Sequence, residues 1–281
     1  MTLPLQVQSK AGAQTSLQAE SPWLAVIGIG EDGIEGLTPA ARTLISNAAV
    51  VYGGERHLAL AADLITGEMK PWPRPLKGAI PDIVAKRGTA TAVLASGDPY
   101  LYGIGNRLAH HVAREETIAI PAPSAFSLAC ARLGWSLADT ATLTCCGRPI
   151  EGLAPHLQPG RNLLVLSADE TTPTAVAAYL SARGFGGSTL HVLEALGGLH
   201  EKIRESTARD FSFVDVDRLN LLAIEVDAAP GAQVIPLASG LPDDFFENDG
   251  QITKREIRAV TLSALAPRAG ERLWDIGCGS G

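Results

Sequence analysis

The sequence is poor in aromatic residues, at 5%, and holds only four cysteines among 281 residues. Cys130, Cys145, Cys146 and Cys278 form no Cys-x-x-Cys pair and share no metal-ligand spacing with histidine. A metal centre is therefore not expected, and the thiols read as reduced ones in a cytoplasmic protein. Positive charge is also scarce. The 23 Lys and Arg stand against 30 Asp and Glu, a net charge of -7, with no basic arm or stripe. That excludes a general nucleic-acid binder. No apolar run reaches membrane-spanning length, so no membrane partner is expected. Residues 1–21 lack the basic start and apolar stretch of a secretory signal and read as a disordered extension. No Gly-x-Ser-x-Gly elbow or other nucleophile–base arrangement is legible.

What is present is hydrophobic content of 46%, enough for two cored domains. Trp23-Leu-Ala-Val-Ile-Gly-Ile29 is a continuous apolar run, as expected of a parallel strand covered on both faces. Thr38 caps a helix with Pro39 at its first position and Ala41, Leu44, Ile45 and Ala48 inward. Further strands are expected at Ala49–Tyr52, Thr91–Ala95, Ile118–Ile120, Asn162–Leu166, Thr189–Leu193 and Leu221–Val226. Helices are expected after Gly103, with Ile104, Leu108 and Val112 on one face, after Ser124, and from Thr172-Pro173 to a stop at Gly184. Alternating strands and helices predict an α/β fold of mostly parallel or mixed sheets. The expected divisions are residues 22–138, residues 139–229, and a linker that begins a third segment over residues 230–281. In that segment Thr253–Ala266 reads as helix. Arg272-Leu-Trp-Asp-Ile-Gly-Cys-Gly-Ser-Gly281 reads as a strand entering the glycine loop of a Rossmann-type unit.

Gly28-Ile-Gly30-Glu-Asp-Gly33 matches the dinucleotide fingerprint literally, but the helix start at Thr38-Pro39 falls too late to face a pyrophosphate. Ser96-Gly97-Asp98-Pro99-Tyr100-Leu101-Tyr102-Gly103 is more informative. It lies where a buried strand hands over to a helix, the place where α/β proteins bind small molecules. Gly97 there admits a ligand close to the backbone, Pro99 fixes the turn, and Asp98 adds an acceptor. Lys70-Pro-Trp-Pro-Arg-Pro-Leu-Lys77 is either a lip for a flat anion or a proline-stiffened surface loop. Arg56-His57 either face the ligand or are solvated loop residues. His110-His111 read as solvent-facing.

Together these pieces resemble the tetrapyrrole methylases, over about residues 24–228. The resemblance is carried by Gly28–Gly30 through Gly36-Leu-Thr-Pro39, by Tyr52-Gly-Gly-Glu-Arg-His-Leu58, and by Ser96–Gly105. Ala131-Arg-Leu-Gly-Trp135, Gly147-Arg148, Thr172-Pro-Thr-Ala175 and Glu194–Glu201 complete it. The Arg-His-Leu and Ala-Arg-Leu-Gly-Trp pieces resemble the branch that methylates C5 of precorrin-6B in cobalamin biosynthesis. Thr253-Lys-Arg-Glu-Ile-Arg258, leading to Trp274-Asp-Ile-Gly277, resembles the start of a companion module that methylates C15 and decarboxylates. The resemblance implies two α/β domains with a ligand cleft between them, S-adenosylmethionine as cofactor, an anionic tetrapyrrole substrate and a homodimer. Carried over by position, the cofactor residues are Gly97, Asp98, Leu101, Ser124, Ala125, Ser167 and Ala223. The basic candidates for substrate carboxylates are Arg56, His57, Arg74, Lys77 and Arg148. No catalytic base can be named. Two departures stand out: Pro121-Ala-Pro-Ser-Ala125 replaces a Pro-Gly-x-Ser-Ser pattern, and Cys146-Gly-Arg148 replaces His-Gly-Arg. Another acceptor such as uroporphyrinogen III, or a non-catalytic tetrapyrrole-binding module, remains an alternative.

Overall fold

Every residue of β1 (Leu24–Ile29) is buried, because the strand is central in a sheet covered on both faces. The computed structural model describes residues 22–277. The expected extension over residues 1–21 and the last four residues of the expected glycine loop lie outside that range. Among the described residues two compact units are present, one ending at residue 124 and including 197–199, and one of 125–196 with the residues from 200 on.

The first unit holds β1, β2 (Val50–Gly53), β3 (Glu68–Pro71), β4 (Thr91–Ser96) and β5 (Thr117–Ile120) in the order β3-β2-β4-β1-β5. All of its pairings are parallel. Alternate residues of the strands point to opposite faces and build two core layers. Ala25, Ile27, Ile29, Val51 and Leu94 pack with Ile45 of α1 (Pro39–Ser46) and Leu58 of α2 (Glu55–Leu60). Leu24, Val26, Tyr52 and Val93 pack with Ile80 and Ile83 of α3 (Ala79–Val84) and Ile104 and Leu108 of α4 (Ile104–Leu108). Thr38 caps α1 through a bond that its Oγ1 accepts from Ala41 N at 3.2 Å. The helix after Gly103 is shorter than its periodicity predicts, yet Ile104, Leu108 and Val112 are all buried.

The second unit holds α5 (Ala125–Leu133), β6 (Ala141–Thr144), β7 (Asn162–Leu166), α6 (Thr172–Ala182), β8 (Thr189–Glu194), β9 (Lys202–Thr207) and β10 (Asn220–Glu225). Its order is β6-β7-β10-β8-β9. Only β6–β7 is parallel; the other three pairings are antiparallel, so this sheet is mixed. Val176, Ala177 and Leu180 of α6 cover one face. Phe126, Ala129 and Cys130 of α5 cover the other, against Leu164, Leu193, Leu221 and Ala223. The sequence assigns that helix to the first domain, whereas its apolar face groups it with the second sheet.

Residues 230–254 lead to α7 (Arg255–Leu265). Arg258 is buried there, ion-paired to Asp243 at 2.6 Å and donating to the carbonyls of Leu241 and Thr253. The strand expected at Arg272–Ile276 is not formed: no strand pairs with it among the described residues, and Leu273, Trp274 and Ile276 are exposed. A lone strand has no ladder to hold it. No described helix is long and apolar enough to cross a membrane.

Candidate functional site

The parallel strands of the first unit bring the segments after β1, β2, β4 and β5 to one sheet end. Open α/β sheets bind ligands at this carboxyl end. Gly97 sits here with φ +54°, a conformation that favours glycine. Its missing side chain serves the fold, not a ligand. A Cβ would meet Pro123 O at 2.9 Å and Ser124 Cα at 3.0 Å. Gly97 N donates to Ile29 O, and Gly97 O accepts from Ala122 N, both at 3.1 Å. A Cβ on Gly28 would overlap that same Gly97 carbonyl. The literal glycine fingerprint thus has local structural reasons: close backbone contacts at Gly28, the Asp32 side chain at Gly30 and a φ of +58° at Gly33. Asp32 lies against Gly30 and Gly36, and α1 starts only at Pro39.

The Asp98 loop is wound on itself. Asp98 Oδ1 accepts from Tyr100 N at 2.8 Å, Leu101 N donates to Asp98 O at 3.1 Å, and Gly105 N donates to Pro99 O at 2.9 Å. Tyr102 is held at φ +55°. Tyr100, Leu101 and Tyr102 are consequently displayed as three exposed side chains on a fixed backbone. Ser124 follows β5 on this side and immediately precedes α5, whose first residue is Ala125.

Beside that loop lies a polar chain that the sequence did not reveal. Arg56 is ion-paired to Glu31. Its Nη2 is 2.8 Å from His57 Nε2 and donates to Ser96 Oγ at 3.1 Å. Ser96 Oγ is itself 2.8 Å from His57 Nε2. A guanidinium only donates, so Nε2 must accept and the ring proton sits on Nδ1. Nδ1 is buried without a hydrogen-bond partner among the described residues. Burial, then the nearby Arg56 charge, pushes the imidazole down to about 4. His57 is thus a neutral ring near pH 7, not a cation for carboxylates. The depressed value means that the unfolded chain binds the proton more readily. Stability of this unit is expected to be fully present above about pH 6.5 and to fall as pH drops toward 4. A titration of the His57 ring by NMR checks this: a midpoint at or above 6.5 contradicts it.

In the second unit, β6 and β7 end side by side, and the antiparallel register of β10 brings Asn220 opposite Ser167. Ser167 is 8% exposed, and its Oγ has no partner among the described residues; nor has the buried Asn220 Oδ1. Asn220 Nδ2 donates to Asp217 O at 2.8 Å and Asp169 O at 3.2 Å, which fixes the amide with its oxygen unused. Asp169 is held below the usual carboxylate range by bonds from Thr171 and Thr172. Cys146 Sγ donates to Ser167 O at 3.2 Å. A buried hydroxyl and a buried amide oxygen side by side form an incomplete polar pair, which a ligand with one acceptor and one donor completes.

The remaining sequence candidates are dispersed. Ala223 is fully buried beneath α5, with its backbone between Leu164 and His191 in the ladder, so it has no polar group to offer. Arg74 and Lys77 are exposed on the segment after β3, where Trp72 stacks on Tyr52. Lys77 lines a groove of about 500 Å³ with Arg107, His110 and His111, apart from Arg56 and His57. Arg148 is exposed after β6. Ser96, Glu31 and Asn220 are the site residues that sequence reasoning missed. The signal for Asn220 was available: an amide placed directly before the apolar run Leu221–Ile224.

Comparison with known proteins agrees with this layout. The profile of the Tetrapyrrole (Corrin/Porphyrin) Methylases matches residues 24–212, and that of the Precorrin methyltransferase domain matches residues 244–281. A precorrin-6Y C(5,15)-methyltransferase [decarboxylating] from Sinorhizobium sp is 54% identical over 261 residues, 93% of this chain and 63% of the relative. The chain thus spans just under two thirds of the length of such curated relatives. A cobalt-precorrin-7 C(5)-methyltransferase from Salmonella typhimurium is 35% identical over 193 residues, 64% of this chain and 88% of that protein. The crystal structure of a precorrin-6Y methylase from Archaeoglobus fulgidus superposes with a TM-score of 0.54 at 26% identity, over 73% of this chain and 98% of that one.

Proposed function

We propose, from the premise that this chain belongs to the tetrapyrrole (corrin/porphyrin) methylases, that it is the C5-methylating part of a corrin methyltransferase in cobalamin biosynthesis. The observation that carries the reading is its alignment with 88% of a stand-alone C(5)-methyltransferase. That relative is named for cobalt-precorrin-7, so the acceptor proposed is a corrin precursor of this kind, as the precorrin-6B expected from the motifs also is. Methylation at C15 and decarboxylation would belong to the module whose profile begins at residue 244. The acceptor is an anionic tetrapyrrole, and the assembly a homodimer.

S-adenosylmethionine supplies an electrophilic methyl group when bound. The residues present fit it: the unpartnered Ser167 Oγ and Asn220 Oδ1 match the acceptors and donors of an adenosyl group. The Asp98–Gly103 loop of the first unit separately offers a fixed backbone that bears the exposed Tyr100, Leu101 and Tyr102. Because the acceptor ring carbon is itself the nucleophile, the protein's contribution is chiefly positioning. Arg148, exposed on the segment after β6, is the basic side chain assigned to a substrate carboxylate.

Ser167→Ala tests the cofactor assignment with opposite signs in two assays. Affinity for S-adenosylhomocysteine is expected to fall about 5–10-fold, one lost hydrogen bond. Folding stability should hold or rise slightly, because the hydroxyl has no protein partner to lose. Unchanged affinity removes Ser167 from the site. Arg148→Ala should weaken corrinoid binding more than cofactor binding in calorimetry, and equal losses count against it.

A further inference from the structure

Methylation of a ring carbon leaves a proton to be removed, and no base has yet been assigned to it. The electron pair of a ring double bond forms the new C–CH3 bond, and the pair of the broken S–CH3 bond stays on sulfur as a neutral thioether. The macrocycle is left with one positive charge and discharges it by releasing one proton from a ring carbon or nitrogen. On the functional reading above, we propose that Ser96 and His57 form the proton exit: the Ser96 hydroxyl takes this proton while passing its own to His57 Nε2.

Four observations carry the relay. Ser96 is exposed at the carboxyl end of β4, directly before Gly97 and Asp98, so its hydroxyl is open to a ligand lying on that loop. Its Oγ lies 2.8 Å from His57 Nε2, within proton-transfer distance, although the two residues are distant in sequence. The Arg56 contact at Nε2 dictates which nitrogen carries the lone pair; as that lone pair takes the Ser96 proton, Arg56 Nη2 gives up its contact with Nε2 and keeps the bond it donates to Ser96 Oγ at 3.1 Å. Glu31 holds Arg56 in place. Arg56 and Glu31 are the charged groups this chain of contacts sets at the ring, one on its own helix and one on the segment after β1.

The ring's low basicity suits the task. A cationic macrocycle is a strong acid that a weak base can deprotonate, and an imidazolium that is buried beside a guanidinium passes its proton on to water quickly. Arg56 is a positioning residue here; Ser96 and His57 move the proton.

The test uses the full chain with methyl-labelled S-adenosylmethionine and the reduced C5-unmethylated corrinoid. Ser96→Ala should lower kcat about 100-fold while KM for both substrates stays within about twofold. Ser96→Thr, which keeps a hydroxyl, should restore most of the rate. His57→Gln should lower kcat to the same degree, and the wild-type solvent deuterium isotope effect on kcat should vanish in both deficient variants. Equal kcat in wild type and Ser96→Ala overturns the relay alone. A Ser96→Ala defect confined to KM also overturns it, because it assigns Ser96 to binding. A wild-type chain that binds the corrinoid but forms no methylated product overturns the functional reading and the relay with it.

Discussion

Replacing Gly28 by alanine is expected to destabilise the first unit by about 3 kcal/mol or more, the upper end of the overpacking range. Most glycine-to-alanine changes in strands cost little or even help. This one is different because the new methyl group would occupy the position of the Gly97 carbonyl and lie 2.6 Å from Ala122 N. Both are backbone, stitched by the Gly97 O to Ala122 N bond, so no side chain can swing aside. Relief requires β1, β4 and the segment after β5 to separate at the end where the Asp98 loop starts. A denaturant titration checks the size, and loss of S-adenosylhomocysteine binding should accompany it. A change below 1 kcal/mol would mean that the three backbones do not approach so closely.

Arg204→Ala is expected to cost the second unit about 3–5 kcal/mol, the range for stranding a buried charge. Glu194 is 2% exposed, and Arg204 grips it through Nε at 3.0 Å and Nη2 at 3.1 Å. Arg204 also reaches Asp215 at 2.7 Å and lies over the Phe213 ring at 4.6 Å. Without it, Glu194 retains the Asp217 N–H at 2.7 Å but no opposite charge. The double variant Glu194→Gln with Arg204→Met should recover most of the loss, because the cost comes from the unpaired carboxylate. If the single variant loses only what an exposed pair is worth, about 0–1 kcal/mol, the carboxylate is better solvated than its burial indicates.

The central strands were legible because burial on both faces writes continuous apolar runs, as in β1, β4 and β7. The edge strand β5 was legible as Ile118–Ile120, but two other edge strands were not. Glu68-Met-Lys-Pro71 and Lys202–Thr207 lie at sheet edges, where exposed positions take charges and proline and the pattern dissolves. A mixed sheet was within the expectation, but which strands of the second sheet run antiparallel was not legible, because strand direction leaves no trace in an apolar run. α2 was missed because it is short and its first residues, Glu55, Arg56 and His57, are polar.

The same contrast holds for the site. Its landmark, the loop after β4, stands out through Gly97, Asp98 and Pro99. Why Gly97 is glycine was not legible, since the reason lies in Pro123 and Ser124, which approach it only in the fold. The basic residues were grouped by charge, yet charge alone does not reveal partners. Arg56 is committed to Glu31, and His57 is kept neutral by burial and, second, by the arginine beside it. Ser167 shows the reverse case. The resemblance named it, and the fold leaves its hydroxyl buried and unsatisfied.

The most direct measurement of the central claim is mass spectrometry of the corrinoid after incubation with this chain and methyl-labelled S-adenosylmethionine, with NMR to locate the label. The account predicts a single added methyl group, at C5, and equimolar S-adenosylhomocysteine. An unmodified corrinoid, or a label at any other ring carbon, would contradict it.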